Sequence, residues 1–473
     1  MDGSGMKGNL FRCAAGVILA LLLAGSVAAA DANNTTPAAN QTPPAAWERT
    51  YGGLSNETLL SLLGSSGGGY QLVGSSDGNG TDTELYLVWT DANGTPLSDA
   101  RMPFGTGGSP IVADRTADGG TIVVGGVQSA GPTGEDVALA RLGPDGRRLW
   151  SRSYAIGNGR DVGYAVRPAT DGGYFVAGTA ESPSGGAPDL LLMKVGEDGG
   201  EVWHRALPLG AETLFVRDLL ATPDGGYLVV GSTDANHAGS LDILLVKVSS
   251  GGNREWQRTY ASGAETAFGY AIQPSPDGGW LLLGGVEGAA PSHAAVLVKV
   301  DTAGNEQWRK RLTVGGASTW GYALAPAGDG YAVAGAVGAP EGTRSYAARF
   351  DRSGNEVWNR TFAIGNGPSR ALAVIAALQD RLVVGGEASR TTDGRFDLYL
   401  SSVVRPTVAP NATATVTPNL TANITATPNA TPTTNATSIP TTAAPATTRA
   451  APAPALCLIA VAGIALTAAL RRR

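Results

Sequence analysis

The chain of 473 residues contains only two cysteines, Cys13 and Cys457, and both lie near its ends. The body between them offers no disulfide, no thiol nucleophile and no cysteine-ligated metal. Histidine is also scarce, since His204, His237 and His293 are the only three. They fall in different repeat units, which disfavours a Ser-His-Asp triad or a histidine-rich metal site. We therefore predict no catalytic residue, no metal and no cofactor.

Charge is scarce as well, because charged side chains make up 16% of the chain while glycine contributes 67 residues. Much glycine with few charges is typical of many short strands joined by tight turns. The formal net charge is −6, whereas a nucleic-acid-binding protein needs a basic surface. Nucleic acid is therefore not an expected partner.

The two ends of the chain predict export and anchoring. Residues 1–30 resemble a secretory signal peptide, with basic residues around an apolar run and small residues before Asp31, and residues 31–46 follow as a linker. Residues 455–470 form an apolar run that is predicted to be a transmembrane or sorting segment, and the arginines at 471–473 would form a cytoplasmic basic tail. We expect an exported protein at the cell surface, anchored in the cell membrane by its C-terminus.

Residues 406–454 are dominated by Thr, Ala, Pro and Asn, which is typical of a disordered stalk. Asn-x-Ser/Thr acceptor sequences crowd this stalk and recur in the body, which predicts a glycoprotein if the chain is exported. The predicted glycosylation sites are Asn56, Asn79, Asn93, Asn359, Asn411, Asn419, Asn423, Asn429 and Asn435.

A tryptophan phrase recurs along the body, for example DTAGNEQWRKRL at residues 301–312 and DRSGNEVWNRTF at residues 351–362. Successive tryptophan positions are 50 to 53 residues apart, if Ser98 is counted as the residue that occupies one of them. This period is typical of propeller blades. We interpret the recurring tryptophans as structural. They are Trp47, Trp150, Trp203, Trp256, Trp308 and Trp358.

Each repeat also carries a strand of small residues, a strand after an Asp-Gly-Gly turn and a strand ending in Lys or Arg, which makes four strands with the tryptophan strand. Seven such units predict an all-β, seven-bladed β-propeller over residues 47–405, with the small-residue strand innermost. The last unit lacks a tryptophan strand and the chain begins with a solitary one at Trp47, so the N-terminal strand should close the ring. Hydrophobic helices are expected only at the two termini.

The segments WERTYGG at residues 47–53 and DGGYLVVG at residues 224–231 resemble the repeats of archaeal and bacterial cell-surface β-propellers. Those repeats belong to the same broad class as the pyrroloquinoline-quinone-like and Kelch-like repeats. The resemblance implies surface display and a C-terminal anchor. Quinoprotein dehydrogenases also carry an adjacent-cysteine pair, which this body lacks, so the repeat does not imply the quinone.

The antiparallel order predicts that the Asp-Gly-Gly turns and the tryptophan turns lie on one face of the ring. The remaining loops vary more from unit to unit and should share the opposite face, where loops on a rigid scaffold can carry function. The predicted ligand-binding residues there, near the channel mouth, are Arg160, Asp161, Arg217, Glu265, Trp320 and Arg370.

These features favour a non-catalytic binding, adhesion or envelope-structural module, with a cell-envelope polymer, a glycan or a surface protein as its partner. The alternative is an extracellular polysaccharide hydrolase or lyase that uses carboxylates at the channel mouth, such as Asp161, Glu212 and Glu265. Quinone-dependent oxidation is a third hypothesis, based on the repeat alone.

Overall fold

A computed structural model describes residues 46–406 apart from residues 54, 66, 78–82, 106, 130–133, 158, 182–186, 236–239, 262, 264, 289–290, 341, 378–380 and 390–394. The regular elements of this part are strands, and it contains no helix long and apolar enough to cross a membrane. The predicted signal peptide, nearly all of the linker and stalk, and the C-terminal segment with its basic tail lie outside the described residues.

The described chain forms 28 strands. In chain order they are β1 Glu48–Tyr51, β2 Glu57–Gly64, β3 Tyr70–Ser76, β4 Glu84–Thr90, β5 Pro96–Pro103, β6 Ser109–Arg115, β7 Thr121–Gln128, β8 Glu135–Leu142, β9 Arg148–Tyr154, β10 Asp161–Pro168, β11 Tyr174–Ala180, β12 Asp189–Val195, β13 Glu201–Leu207 and β14 Leu214–Ala221. They continue as β15 Tyr227–Thr233, β16 Asp242–Val248, β17 Arg254–Tyr260, β18 Thr266–Pro274, β19 Trp280–Glu287, β20 His293–Val300, β21 Glu306–Leu312, β22 Thr319–Ala327, β23 Gly330–Ala339, β24 Gly342–Phe350, β25 Glu356–Phe362, β26 Ser369–Ala376, β27 Arg381–Ser389 and β28 Phe396–Val404.

The strands form seven four-stranded antiparallel sheets arranged as the blades of a ring. Blades 1 to 6 each use four consecutive strands, beginning with β2, and blade 7 combines β26, β27 and β28 with β1. In that last blade Tyr51 of β1 lies opposite Leu398 of β28. The prediction of a seven-bladed all-β propeller closed by the N-terminal strand is confirmed.

The apolar core lies between neighbouring blades. Leu228 and Val230 of β15 pack with Ile272 of β18 and with Leu282 of β19, and all four are at most 1% exposed. The alternation of side chains along each strand gives every blade two apolar faces, one for each neighbouring blade. Ring closure therefore buries both faces of each sheet.

One glycine in the second strand of each blade lets that strand pass close to the innermost strand. A Cβ on Gly231 would lie 1.8 Å from the carbonyl oxygen of Phe215, and a Cβ on Gly335 would lie 1.8 Å from that of Trp320. The equivalent glycines are Gly74, Gly125, Gly178, Gly284 and Gly386, where the same distance is 2.0 to 2.9 Å. A side chain at any of these positions would push the strands apart, which explains the recurring glycine.

Five of the six repeat tryptophans, all except Trp358, pack against a turn of the following blade. The Trp203 ring lies 2.5 Å from the position of a Cβ on Gly252, whose φ of 74° also favours glycine. Where the sequence has Ser98 in the tryptophan position, its cross-strand neighbour Trp89 takes over the contact with Gly146 of the next blade. The tryptophan phrase is therefore an inter-blade packing unit.

The polar groups of the face that carries the regular turns are largely paired within their own blades. Lys247 at the end of β16 lies 2.8 Å from Asp224 of the Asp-Gly-Gly turn, and Lys299 lies 3.2 Å from Asp277 in the same arrangement. Arg141, Lys194 and Arg349 pair with the corresponding aspartates of their blades. These pairs stabilise turns, so a site is better sought on the opposite face.

Candidate functional site

Every innermost strand carries a bulge of one residue close to its start, on the face with the variable loops. In β14 the register shifts between Val216 and Asp218, so Arg217 is the additional residue. Such a bulge bends a strand and redirects a side chain. The seven bulge residues are Leu60, Ile111, Tyr164, Arg217, Tyr270, Tyr322 and Leu372. Because these strands surround the central channel, exposed side chains at the bulges line its mouth.

The mouth of the channel differs sharply from one side to the other. The residue two before the bulge and the bulge residue are Thr58 and Leu60 in blade 1, Ser109 and Ile111 in blade 2, and Val162 and Tyr164 in blade 3, and Leu372 takes the bulge of blade 7. Blades 4 to 7 instead contribute a set that we name the aromatic-basic arc. It consists of Phe215, Arg217, Phe268, Tyr270, Trp320, Tyr322 and Arg370.

Within the arc the aromatic rings touch one another across blades. Phe268 and Tyr270 are stacked, with ring centroids 6.3 Å apart and an angle of 8° between the planes. Tyr270 then meets the edge of Tyr322 of the next blade at 6.4 Å. Phe215 on the preceding blade is 42% exposed. Ring contacts of this kind hold aromatic side chains in one orientation, so the arc presents a preformed surface.

The two arginines of the arc have different surroundings. Arg370 forms an ion pair with Glu387, whose side chain is 3% exposed, and its guanidinium lies 5.7 Å from the ring centre of Phe396. Burial raises the pKa of Glu387, and Arg370 opposes this shift. Arg217 is exposed, and within the described part of the chain it has no hydrogen-bond or ion-pair partner. Arg217 is therefore the uncompensated positive charge of the arc.

A buried polar group lies beneath the arc between blades 5 and 6. His293 stacks against the Trp320 ring at 5.1 Å, and its Nδ1 lies 3.1 Å from Oε1 of Glu287. Burial lowers the pKa of His293 to about 4 and raises the pKa of Glu287. The imidazole is therefore neutral at pH 7, and its Nδ1–H donates to Glu287.

The other nitrogen of this imidazole faces an atom of the arc. His293 Nε2 and Tyr270 Oη are both buried and have no hydrogen-bond partner in the described structure. Both border the same side of Gly285, at 3.2 and 3.3 Å from the position that a Cβ would take. The equivalent residue of blade 4 is Ser232, which accepts a hydrogen bond from the next blade. Because Gly285 has no side chain, the neutral imidazole of His293 and the phenol of Tyr270 can both lie beside it under the arc.

Three of the residues predicted from the sequence lie together in this region. Arg217, Trp320 and Arg370 belong to the arc, on blades 4, 6 and 7. Trp320 covers His293, and Arg370 holds Glu387. The structure thus joins residues from three separate repeats into one surface.

The other three predicted residues lie in different surroundings. Asp161 is buried, and its Oδ2 accepts hydrogen bonds from the backbone N–H groups of Ile156 and Gly157 at 3.0 and 2.9 Å. It shapes the loop that enters β10. The side chains of Arg160 and Glu265 are engaged in ion pairs, with Glu135 at 2.7 Å and with Arg311 at 2.7 Å respectively. Because Arg311 lies on the outermost strand of its blade, Glu265 points away from the channel.

Several residues of this region were not singled out from the sequence. They are Phe215, Phe268, Tyr270, Tyr322, Glu287, His293 and Glu387. The signal for the tyrosines was present, because Tyr164, Tyr270 and Tyr322 all follow the recurring glycine of the small-residue strand. Nothing in the repeat spacing indicates that these tyrosines sit on bulges.

The predicted glycosylation sites fall in different places. Asn93 is exposed on a turn, and Asn359 lies on β25. The amide of Asn56 already donates to Asp77 and accepts from the backbone N–H of Phe396. Asn79 and the five sites of the predicted stalk lie outside the described residues.

Two further features of the described residues bear on the chemistry available to the protein. The described residues contain no group of three or more His, Cys, Asp or Glu side chains that could hold a metal ion. A cleft of about 340 Å³ lies on blade 6 and is lined by Val314, Ala317, Val337, Gly338, Ala339, Pro340, Arg344 and Thr361. Since this lining has no carboxylate, histidine or tyrosine, the cleft offers no acid–base group comparable with those beneath the arc.

Comparison with known proteins gives the fold but no family. No protein-family model matches the chain, and no curated protein matches it in sequence. Among solved structures it is similar to the β-propeller domain of the Trilobed protease from Pyrococcus furiosus, with 7% identity and a TM-score of 0.42 over 73% of this chain and 93% of that one.

Two further solved structures are those of peptidases. Prolyl oligopeptidase B from Galerina marginata shares 11% identity over 74% of this chain, with a TM-score of 0.43. Acylaminoacyl peptidase from Pyrococcus horikoshii shares 13% identity over 73% of this chain, with a TM-score of 0.41. The matches span about half of those two chains, 52% and 51%.

These structures correct the expectation of a non-catalytic binding, adhesion or envelope-structural module. All three belong to proteins named as a protease or peptidases, so a propeller architecture is no sign of a non-catalytic protein, and that expectation is wrong. At 7 to 13% identity the likeness extends to the fold alone. It transfers no peptidase activity to this chain.

Proposed function

We propose that the chain is a carbohydrate-acting β-propeller of the cell surface, which takes up its substrate at the aromatic-basic arc. The observation that carries the proposal is the concentration of aromatic and basic side chains at equivalent positions of blades 4 to 7. Blades 1 and 2 carry Thr, Ser, Leu and Ile at the same positions, and blade 3 carries Val162 and Tyr164. Repeat packing alone gives no reason for this asymmetry.

Carbohydrate is the ligand class that suits such a surface. Sugar rings present faces of C–H bonds, whose partial positive charge is attracted to the negative face of an aromatic ring. Phe215, Phe268, Trp320 and Tyr322 are all partly or fully accessible at the mouth. Their positions on three consecutive blades suit an extended chain of sugars better than a single small molecule.

The cellular setting of the proposal comes from the sequence. The signal-like residues 1–30 and the apolar residues 455–470 support export and C-terminal anchoring. A protein displayed in this way meets envelope polymers and extracellular glycans before other partners. The resemblance to cell-surface propeller repeats of the pyrroloquinoline-quinone-like and Kelch-like class supports the same location.

Turnover of the bound chain is favoured by the polar group beneath the arc. A neutral imidazole held by a carboxylate, with a phenol beside it, provides the groups of general acid–base catalysis. His293 Nε2 is covered in this structure and lies beside Gly285 and Tyr270, so proton transfer to a substrate requires these neighbours to move aside. His293→Gln should then abolish product formation without weakening substrate binding.

The test compares two variants of the full chain, each of which shortens one apolar side chain to alanine. Phe215→Ala removes an exposed ring from the arc, and Leu149→Ala removes a side chain that is 59% exposed on the outermost strand of blade 2. With a panel of polysaccharides, calorimetry should show binding that Phe215→Ala weakens and Leu149→Ala leaves unchanged. Equal effects of the two variants, or no binding to any polysaccharide, would contradict the proposal.

A further inference from the structure

We infer that the substrate is an acidic polysaccharide and that Arg217 binds the carboxylate of a uronate residue in it. This inference rests on the proposed function, because it assigns a chemical class to the carbohydrate at the arc. It is carried by the charge balance of the mouth and by the position of the Arg217 side chain.

Arg217 forms no ion pair with a carboxylate in the described structure. The neighbouring carboxylate of Asp218 lies 2.6 Å from Arg167, and it also accepts the backbone N–H of Ile272 at 3.1 Å. Glu212, in the loop that leads into β14, forms no ion pair with Arg217. Arg217 is exposed to solvent in the free protein, and a ligand that covered it would have to supply an anion, because desolvating a cation is otherwise unfavourable. A bound anion is the partner that this site lacks.

The backbone directs Arg217 toward such an anion. As the additional residue of a bulge, it leaves the regular pleat of β14, and its charge acts on the phenol of Tyr270 on the next blade. Phe215 stands two residues earlier on the same strand and is 42% exposed. A sugar ring resting on Phe215 would place a substituent of that ring within reach of the guanidinium.

A carboxylate fits this arginine better than a more highly charged group. The planar guanidinium can donate two parallel hydrogen bonds to the two oxygens of a carboxylate. The second arginine of the arc is already paired with Glu387, so Arg217 is the arginine of the arc that remains available to a ligand. A single guanidinium suits the single carboxylate of a uronate.

The experiment compares two forms of one ligand with the full chain. Oligogalacturonate and its methyl ester have the same backbone, but only the first carries carboxylates. The acid form should bind about tenfold more tightly or better at low ionic strength, as expected for a charged hydrogen bond. The difference should shrink as salt is added.

Variants assign the effect to one residue. Arg217→Gln should remove the preference for the acid form, so that acid and ester bind with similar affinity. Arg360→Gln, which changes an exposed arginine on the outermost strand β25, should keep the preference. These two variants carry the same change of charge, so non-specific electrostatics would affect both.

The outcomes distinguish a failure of the uronate assignment from a failure of the proposed carbohydrate function. Equal binding of acid and ester by the wild type would overturn the uronate assignment and leave the carbohydrate proposal intact. Binding of sulfated but not carboxylated glycans through Arg217 would also overturn it. Failure of every glycan to bind would refute the proposed function itself.

Discussion

Replacement of Gly231 by alanine tests the account of how the blades are built and how the arc is held in place. The added Cβ would lie 1.8 Å from the carbonyl oxygen of Phe215, well inside any van der Waals contact, so β14 and β15 must separate beside the bulge that carries Arg217. Overpacking of this kind costs about 3 kcal/mol in the free energy of unfolding. Because Phe215 itself moves, glycan binding should weaken as well.

Gly64→Ala is the matched control. Gly64 ends the innermost strand of blade 1, and a Cβ there meets nothing within 4 Å. This variant should be neutral or stabilising by about 0.5 kcal/mol, because alanine has less backbone freedom than glycine in the unfolded chain. Urea unfolding followed by tryptophan fluorescence measures both. A Gly231→Ala protein as stable as the Gly64→Ala protein would refute the packing argument.

Three further predictions concern buried groups. Arg370→Ala removes the cation that pairs with the buried Glu387 and should cost about 3 kcal/mol of unfolding free energy at pH 7.5. Burial raises the pKa of Glu387, so this cost should fall as the pH is lowered and Glu387 takes up a proton; a cost that does not change with pH would contradict this. Since burial lowers the folded-state pKa of His293 from 6.5 to about 4, about 3 kcal/mol of stability present above pH 6.5 should be lost as the pH falls to 4. Urea unfolding of His293→Asn should lack that part of the pH dependence. Trp89→Ala should lower the urea midpoint as much as Trp203→Ala does, because both rings fill the same inter-blade position.

The architecture could be predicted because every blade uses the same packing contacts. The glycines that admit the neighbouring strand, such as Gly231, and the tryptophans that pack on the next turn, such as Trp203, must recur wherever those contacts recur. The solitary strand at Trp47 even identified the closing blade. Ser98 was an apparent gap in this series, and only the cross-strand position of Trp89 explains how blade 1 tolerates it.

The candidate site was harder to predict, since it depends on where side chains point. A bulge shifts the alternation of a strand by one residue, so periodicity cannot identify the face on which Tyr270 or Arg217 lies. The two loop carboxylates are a different case, because the sequence does not show which groups they contact. Asp161 and Glu265 are used within the scaffold, one by backbone N–H groups and the other by Arg311.

Amide hydrogen exchange of the full chain, with and without saturating polysaccharide, tests the central claim most directly. The account predicts slower exchange at the starts of β14, β18 and β22, where the arc lies, and unchanged exchange in the Asp-Gly-Gly turns on the opposite face. Protection of those turns or of the outermost strands, with the arc unaffected, would contradict it.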